Sequence, residues 1–260
     1  MDSSIKYALV TGASSGIGWH ISRELAARGY SLIAVSNQAK KLNDLKTELE
    51  GTYQIRIHTR DCDLSDPDAA RSIYDYCQQH KLKVEVLINN AGMFIYGETV
   101  RADIEKIRAI LQLHMNTPVM FCRLFGALME RDQGGSILNV SSISAVMPYP
   151  TISLYGPTKT FLRKFTRALR IEMKKSGVSV LCLLPGGTVT ALYDTGNINL
   201  SMAKRFGVMK TPELVAKAGM KALFKGRGEC IPGLLNKLIM RIMPLIPNRL
   251  ISFIYKKMKR

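Results

Sequence analysis

Apolar positions in this chain fall into two alternating kinds of stretch. Residues 5–10, 31–35, 54–59, 84–88, 136–140 and 178–184 are short runs, β-branched and apolar on both faces, as parallel strands covered by helices should be. Between them, residues 19–28, 40–50, 67–80, 104–130 and 153–175 carry apolar residues at helical spacing, with Ile17, Ile21 and Leu25 marking the first. Ser65 or Asp66 is the expected cap of the third helix, and Pro118 the expected break in the long fourth. The alternation predicts a single α/β domain over residues 1–260: a doubly wound Rossmann domain, its parallel sheet of about seven strands covered by helices on both faces.

Beyond Pro185 the rhythm changes. Residues 188–207 lack periodicity, and 191–210 is expected to be a substrate loop, because structureless stretches of that length inside a compact domain are usually functional. Thr211 and Pro212 have the chemistry of a helix cap and first turn, and 229–231 reads as a last short strand. Residues 232–260 form a basic amphipathic extension. Within it Leu250, Ile251, Phe253, Ile254 and Met258 share a face opposite Lys256, Lys257 and Arg260.

Composition narrows the class. The chain is long enough for a full core, and 47% hydrophobic content argues for a globular fold. Its five cysteines (Cys62, Cys77, Cys122, Cys182, Cys230) are widely spaced and odd in number, so a reducing compartment and no disulfide framework are expected. The histidines, His20, His58, His80 and His114, lack ligand spacing and read as surface or helix residues; no metal site is expected. The first residues run directly into a strand with no signal-peptide pattern, which points to the cytoplasm. Residues 234–255 are apolar but interrupted by Lys237, Arg241, Pro244, Pro247 and Arg249, against a simple membrane-spanning helix. The net charge of +17 is uneven: residues 201–260 alone carry +12. No helix-turn-helix, zinc or RNA-binding signature accompanies that charge, so nucleic acid is not an expected partner.

Two constellations carry chemistry. Directly after the first strand stands Thr11-Gly12-Ala13-Ser14-Ser15-Gly16-Ile17-Gly18. Strand, glycine turn and helix are joined as a phosphate cradle requires, since glycines allow close backbone approach and a helix N-terminus offers free N–H groups. The spacing differs by one residue from the common dinucleotide fingerprint. The second constellation is Tyr155-Gly156-Pro157-Thr158-Lys159, which stacks a phenol and an ammonium one helical turn apart. Coulomb attraction from the lysine favours the tyrosinate and so suits the phenol to proton transfer near neutral pH.

Taken together, the glycine turn, Asp63-Leu64, Asn89-Asn90-Ala91-Gly92, Asn116, Ser141-Ser142, Tyr155-x3-Lys159 and Pro185-Gly186-x3-Thr190 resemble the short-chain dehydrogenase/reductases in order and spacing, from Lys6 to about Thr190. The resemblance implies a nicotinamide-dependent oxidoreductase. Gly12, Ser14, Ser15, Gly16, Ile17 and Gly18 would hold the adenosine and pyrophosphate end, Asp63 would bind adenine with Leu64 beside it, and Asn90, Ala91 and Gly92 would line the cofactor. Tyr155 would be the general acid or base, Lys159 would lower its pKa and hold ribose hydroxyls, and Ser142 would hydrogen-bond the substrate oxygen, with Ser141 the competing serine. Asn116 would support a water connecting Lys159 to solvent, while Pro185, Gly186, Thr188 and Thr190 would border the nicotinamide. Gly156-Pro157-Thr158 departs from the family's small residues there and implies a stiffer backbone. The family also implies a homodimer or homotetramer, formed through the long helices beginning near Ile104 and Ser153.

Cofactor choice rests on the end of the second strand, where a carboxylate would bind the ribose hydroxyls of NAD and repel the phosphate of NADP. Ser36 and Asn37 stand there, followed by Lys40 and Lys41, so NADP(H) is favoured over NAD(H). Residues 230–238 and the basic tail resemble, more loosely, reductases of sterols, long-chain acyl groups and ketosphinganine. That points to a ketone on an apolar, lipid-like substrate, with specificity set by residues 93–98, 145–154 and 191–207. The tail fits either peripheral membrane contact or a helix that caps the core or a partner subunit. The competing functional readings are a non-catalytic nucleotide-binding protein and a membrane-surface protein retaining the fold.

Overall fold

Residue alternation sorts the core. In the computed structural model, which describes residues 5–146, 150–188 and 210–258, the first strand β1 (Tyr7–Thr11) turns Ala8 and Val10 to one face of the sheet and Tyr7 and Leu9 to the other. The remaining strands are β2 (Ser31–Ser36), β3 (Ile57–Asp61), β4 (Val84–Asn89), β5 (Gly135–Val140), β6 (Val178–Leu183) and β7 (Glu229–Cys230). They pair in parallel in the order β3-β2-β1-β4-β5-β6-β7, with Val10 opposite Ala34 on one side and Ile88 on the other. One face packs on α1 (Gly16–Ala26), α2 (Ala39–Thr52) and α7 (Pro212–Phe224), through Ile21, Leu25, Leu45, Leu49 and Met220. The other packs on α3 (Ala69–Gln79) and α5 (Thr117–Arg131), through Ile73, Phe121, Phe125 and Met129. The doubly wound domain with seven parallel strands is therefore as the pattern predicts.

Local differences have local causes. α3 begins at Ala69 rather than after Ser65 or Asp66, because those residues are spent folding the preceding turn: Asp63 Oδ1 accepts from the Ser65 N–H (2.9 Å) and Asp66 Oδ1 from the Asp68 N–H (2.9 Å). The long fourth helix breaks ahead of Pro118. α4 (Ile104–Leu111) and α5 are joined by a π turn over Gln112–Asn116, and Pro118 lies in the first turn of α5, where a missing N–H costs little. α6 (Tyr155–Glu172) follows β5, and its far end tightens into a 3-10 turn, Met173–Ser176.

The tail is two helices, α8 (Leu234–Ile242) and α9 (Asn248–Met258), bent by 104° where they meet. No single helix among the described residues is long and apolar enough to cross a membrane. α8 buries Asn236 and Met240, the latter against Ala145, Cys182 and Leu184. It leaves Leu234, Leu235, Leu238 and Ile242 exposed, as are Leu245, Leu250 and Phe253 further on.

Candidate active site

Strand order reverses between β1 and β4, and the carboxyl ends of the strands around that switch point open a crevice where α/β sheets bind ligands. Thr11 holds its two walls together. Its Oγ1 donates to the Ile88 carbonyl (3.2 Å) and accepts from the N–H groups of Asn90 (2.9 Å) and Ala91 (3.0 Å). The Asn90 amide in turn donates to the Thr11 (2.9 Å) and Gly12 (3.2 Å) carbonyls. A cleft of about 580 Å³ runs from this seam in both directions.

One arm is a dinucleotide cradle by shape. Gly12 has φ +63°, and an added Cβ would come within 2.8 Å of Asn90 Nδ2; at Gly18 a Cβ would collide with the Gly12 carbonyl oxygen. Gly12, Ser14, Ser15, Gly16 and Ile17 line this arm, whereas Gly18 lies beneath it in the first turn of α1. Ser36, Asn37, Asp63 and Leu64 complete its wall, joined by Gln38, Cys62 and Ser65, which the sequence did not single out. Ser14 and Ser36 share a 2.7 Å hydroxyl hydrogen bond. Asp63 Oδ1 accepts from both the N–H and the hydroxyl of Ser65, so part of this carboxylate is committed to its own turn. A nicotinamide dinucleotide fits here on one physical ground: Gly12 (φ +63°) and Gly16 (φ +55°) line the cavity in a backbone conformation that side chains rarely adopt, at the N-terminus of α1.

The other arm gathers Asn90, Ala91, Gly92, Ser142, Tyr155, Lys159, Pro185, Gly186 and Thr188. Tyr155 opens α6, and its ring is held edge-on between Phe94 (centroids 5.0 Å apart) and His114 (5.6 Å). Lys159 Nζ lies 5.6 Å from the centre of that ring and donates to the Val140 carbonyl (3.1 Å). Complete burial pulls the lysine pKa down to about 8. Both serines line the cleft, and the Ser141 hydroxyl donates to the Lys159 carbonyl (2.7 Å), tying α6 to the end of β5. Ser142 Oγ accepts from the Ser144 N–H (3.1 Å).

One expected residue, Asn116, is not brought to this group. Thr190 lies outside the described residues, as does most of the 191–210 segment. Asn116 is exposed, and its amide donates to Gln112 Oε1 (2.9 Å), away from the cleft. Two positions along a helix point in different directions, and the inward position of this turn belongs to His114, which is 1% exposed. The buried stripe Ile110, His114, Thr117, Phe121 and Phe125 was a usable signal; an asparagine sought by residue type alone hides it. The wall behind Gly186 is equally illegible in sequence. A Cβ there would fall 2.5 Å from the Asn236 side chain, so α8, fifty residues later, closes the cleft from behind.

Comparison with known proteins gives the class. The family model for short chain dehydrogenase matches residues 6–199, and this chain belongs to the short-chain dehydrogenase/reductase family of oxidoreductases. It is 34% identical over 184 residues to very-long-chain 3-oxoacyl-CoA reductase-A of Danio rerio, covering 69% of this chain and 57% of that protein. It is 29% identical over 249 residues to 17-beta-hydroxysteroid dehydrogenase type 3 of Rattus norvegicus, covering 94% of this chain and 78% of that protein. A short-chain dehydrogenase from Sphingobium yanoikuyae, solved in complex with NADPH, shares the fold with a TM-score of 0.82 at 24% identity, over 94% of this chain and 97% of that one.

Proposed function

We propose that this protein reduces a ketone on an apolar, lipid-like substrate, with NADPH as its hydride source. The observation that carries the reading is convergence: Ser142, Tyr155 and Lys159 reach one arm of a cleft whose other arm is the glycine cradle. When bound, the nicotinamide supplies or accepts a hydride. Gly12 to Ile17 would hold its phosphates, Ser36 and Asn37 the adenosine ribose, Asp63 and Leu64 the adenine, and Lys159, Pro185, Gly186 and Thr188 the nicotinamide end. In reduction the Tyr155 hydroxyl gives its proton to the carbonyl oxygen, and Ser142 donates a hydrogen bond to that oxygen as negative charge grows on it. The Lys159 ammonium favours the phenolate left on Tyr155. A non-catalytic nucleotide-binding role has no need of this convergence.

Four observations support the finer parts. The end of β2 presents Ser36, Asn37 and Gln38 to the cleft and no carboxylate that would repel a 2′-phosphate. Two relatives bear the names of a very-long-chain 3-oxoacyl-CoA reductase and a hydroxysteroid dehydrogenase, both enzymes of large apolar molecules. The outer faces of α8, α9 and the turn between them combine seven exposed large apolar side chains with Lys237, Arg241, Arg249, Lys256 and Lys257, the mixture that lies in an anionic membrane interface. Exposed Ile104, Leu111, Met120, Phe161 and Ile171 on α4, α5 and α6 support a homodimer or homotetramer through those helices.

The test is a panel of 3-ketoacyl thioesters, ketosteroids, 3-ketosphinganine and simple ketones, followed by NADPH absorbance at 340 nm. The expected result is turnover of at least one long apolar ketone, lost in Tyr155→Phe while NADPH still binds. A Tyr155→Phe protein that oxidises NADPH with every active substrate as the parent does would overturn the mechanism. NADH bound more tightly than NADPH would overturn the cofactor assignment.

A further inference from the structure

The reading of Tyr155 as proton donor leaves one buried group at the centre of the site without a task. His114 occupies the middle of the π turn, a deformation of helices that recurs at functional sites. Its ring nitrogens are both engaged. The Met93 N–H lies 3.0 Å from Nε2, and a backbone N–H can only donate, so Nε2 accepts and the ring proton stands on Nδ1. Nδ1–H then donates to Thr158 Oγ1 (2.9 Å), whose own hydroxyl donates to the Tyr155 carbonyl (2.8 Å). Three hydrogen bonds thus run in one direction, from the segment after β4 to the first turn of α6. The residue is buried among these partners.

Charge on this ring is opposed from two sides. Burial holds its pKa well below the usual histidine range, and the Lys159 ammonium pushes the same way. A Cβ on Gly92 would sit 3.1 Å from His114 Nε2 and 3.6 Å from Lys159 Nζ, so the two groups flank one small space. Tyr155 and Lys159 of α6 are the titratable groups facing the ring; Gly92, Met93 and Thr158 bring no charge.

We propose that His114 is a positioning residue for Tyr155: a neutral imidazole of fixed tautomer that ties Met93 to Thr158 and so holds the catalytic turn of α6 against the substrate side of the cleft. The proposal rests on the reductase reading and adds a residue the family resemblance did not supply, at the place where it expected an asparagine to serve a water. With both nitrogens committed, the ring carries no proton between Lys159 and solvent. It sets where the phenol stands.

Two measurements decide it. In protein labelled with 15N-histidine, the signal that disappears in His114→Gln should report a neutral ring protonated on Nδ1 throughout pH 6 to 8; an Nε2–H tautomer, or a cation at pH 6, overturns the bracket without reference to activity. Against the best ketone of the panel, His114→Leu should lower kcat about tenfold while the KM for ketone and the NADPH dissociation constant move less than about threefold. His114→Gln, which keeps a donor and an acceptor but no titratable ring, should stay within about threefold of the parent. A His114→Leu enzyme as fast as the parent, or a His114→Gln enzyme as slow as His114→Leu, sinks the positioning role. If no ketone is reduced by the parent protein, the reductase reading fails and the tautomer measurement still decides the bracket.

Discussion

Burying Lys159 beside Tyr155 leaves a signature in stability as well as in chemistry. Its pKa falls to about 8 in the folded protein, against about 10.4 in an unfolded chain. Between those values the unfolded state binds more protons, so the folded state gains stability as pH rises from 8. The gain approaches about 1.4 kcal/mol per pH unit at full slope. Chemical denaturation at pH 8.0 and 9.0 should show it as a stability difference between the parent and Lys159→Met that shifts in the parent's favour as pH rises; the buried cysteines, pushed the other way, titrate in the unfolded chains of both proteins and cancel in that difference. His114 acts at the opposite end of the scale. Its depressed pKa means that stability present above pH 6.5 is lost as pH falls further, so His114→Gln should flatten the decline between pH 6.5 and 5. Gly18 makes a backbone prediction. Gly18→Ala drives a methyl into the Gly12 carbonyl, and should cost about 1–3 kcal/mol of stability and weaken NADPH binding, measured by fluorescence titration.

Elements succeed or fail on their ends. Thr211 has the capping chemistry its sequence advertises: its hydroxyl accepts from the Leu214 N–H (3.4 Å) with Pro212 in the first turn. Thr211→Ala should destabilise the protein by about 1 kcal/mol in urea unfolding, since α7 packs its whole inner face on the sheet. The α4–α5 break was legible as a break and misplaced by several residues. Proline signals a stop, yet a proline in a first turn is harmless, and the real discontinuity is a π turn with no residue signature of its own. The substrate side shows the same limit. Residues 93–98 and 145–154 were expected to share the task of recognition, and they are stitched together by the Gly97 N–H donating to the Thr151 carbonyl (2.8 Å) and by Thr99 with Ser153 (2.6 Å). Nothing in the separate segments announces those bonds.

At the scale of the whole molecule, the tail joins the core to the surface. α8 both caps the core through Asn236 and Met240 and offers its other face outward, so the two sequence expectations for the tail describe opposite sides of one helix. α9 also reaches the segment after β4, where the Tyr255 hydroxyl donates to Glu98 Oε1 (2.9 Å). Removing residues after Gly233 would strip the wall behind Gly186, so point changes are the cleaner test. The parent protein should co-sediment with vesicles containing phosphatidylserine and lose at least half of that recovery in Leu245→Ser/Phe253→Ser, with no change in NADPH binding; equal recovery removes the membrane contact.

By itself the sequence determined the alternation of strands and helices, the doubly wound class and the ordered set of cofactor and catalytic motifs, because each depends on residues adjacent in the chain or at a fixed helical spacing. Strand alternation, the glycine turn and Tyr155-x3-Lys159 are all local. Only the tertiary structure decided that the Ser141 hydroxyl is spent on the Lys159 carbonyl while Ser142 accepts from the Ser144 N–H, that Asn236 stands behind Gly186, and that His114 rather than Asn116 faces Tyr155. Those outcomes depend on which side of a turn is buried and on contacts between segments 18 to 50 residues apart or more. Packing sets them, and no short stretch of chain contains both partners.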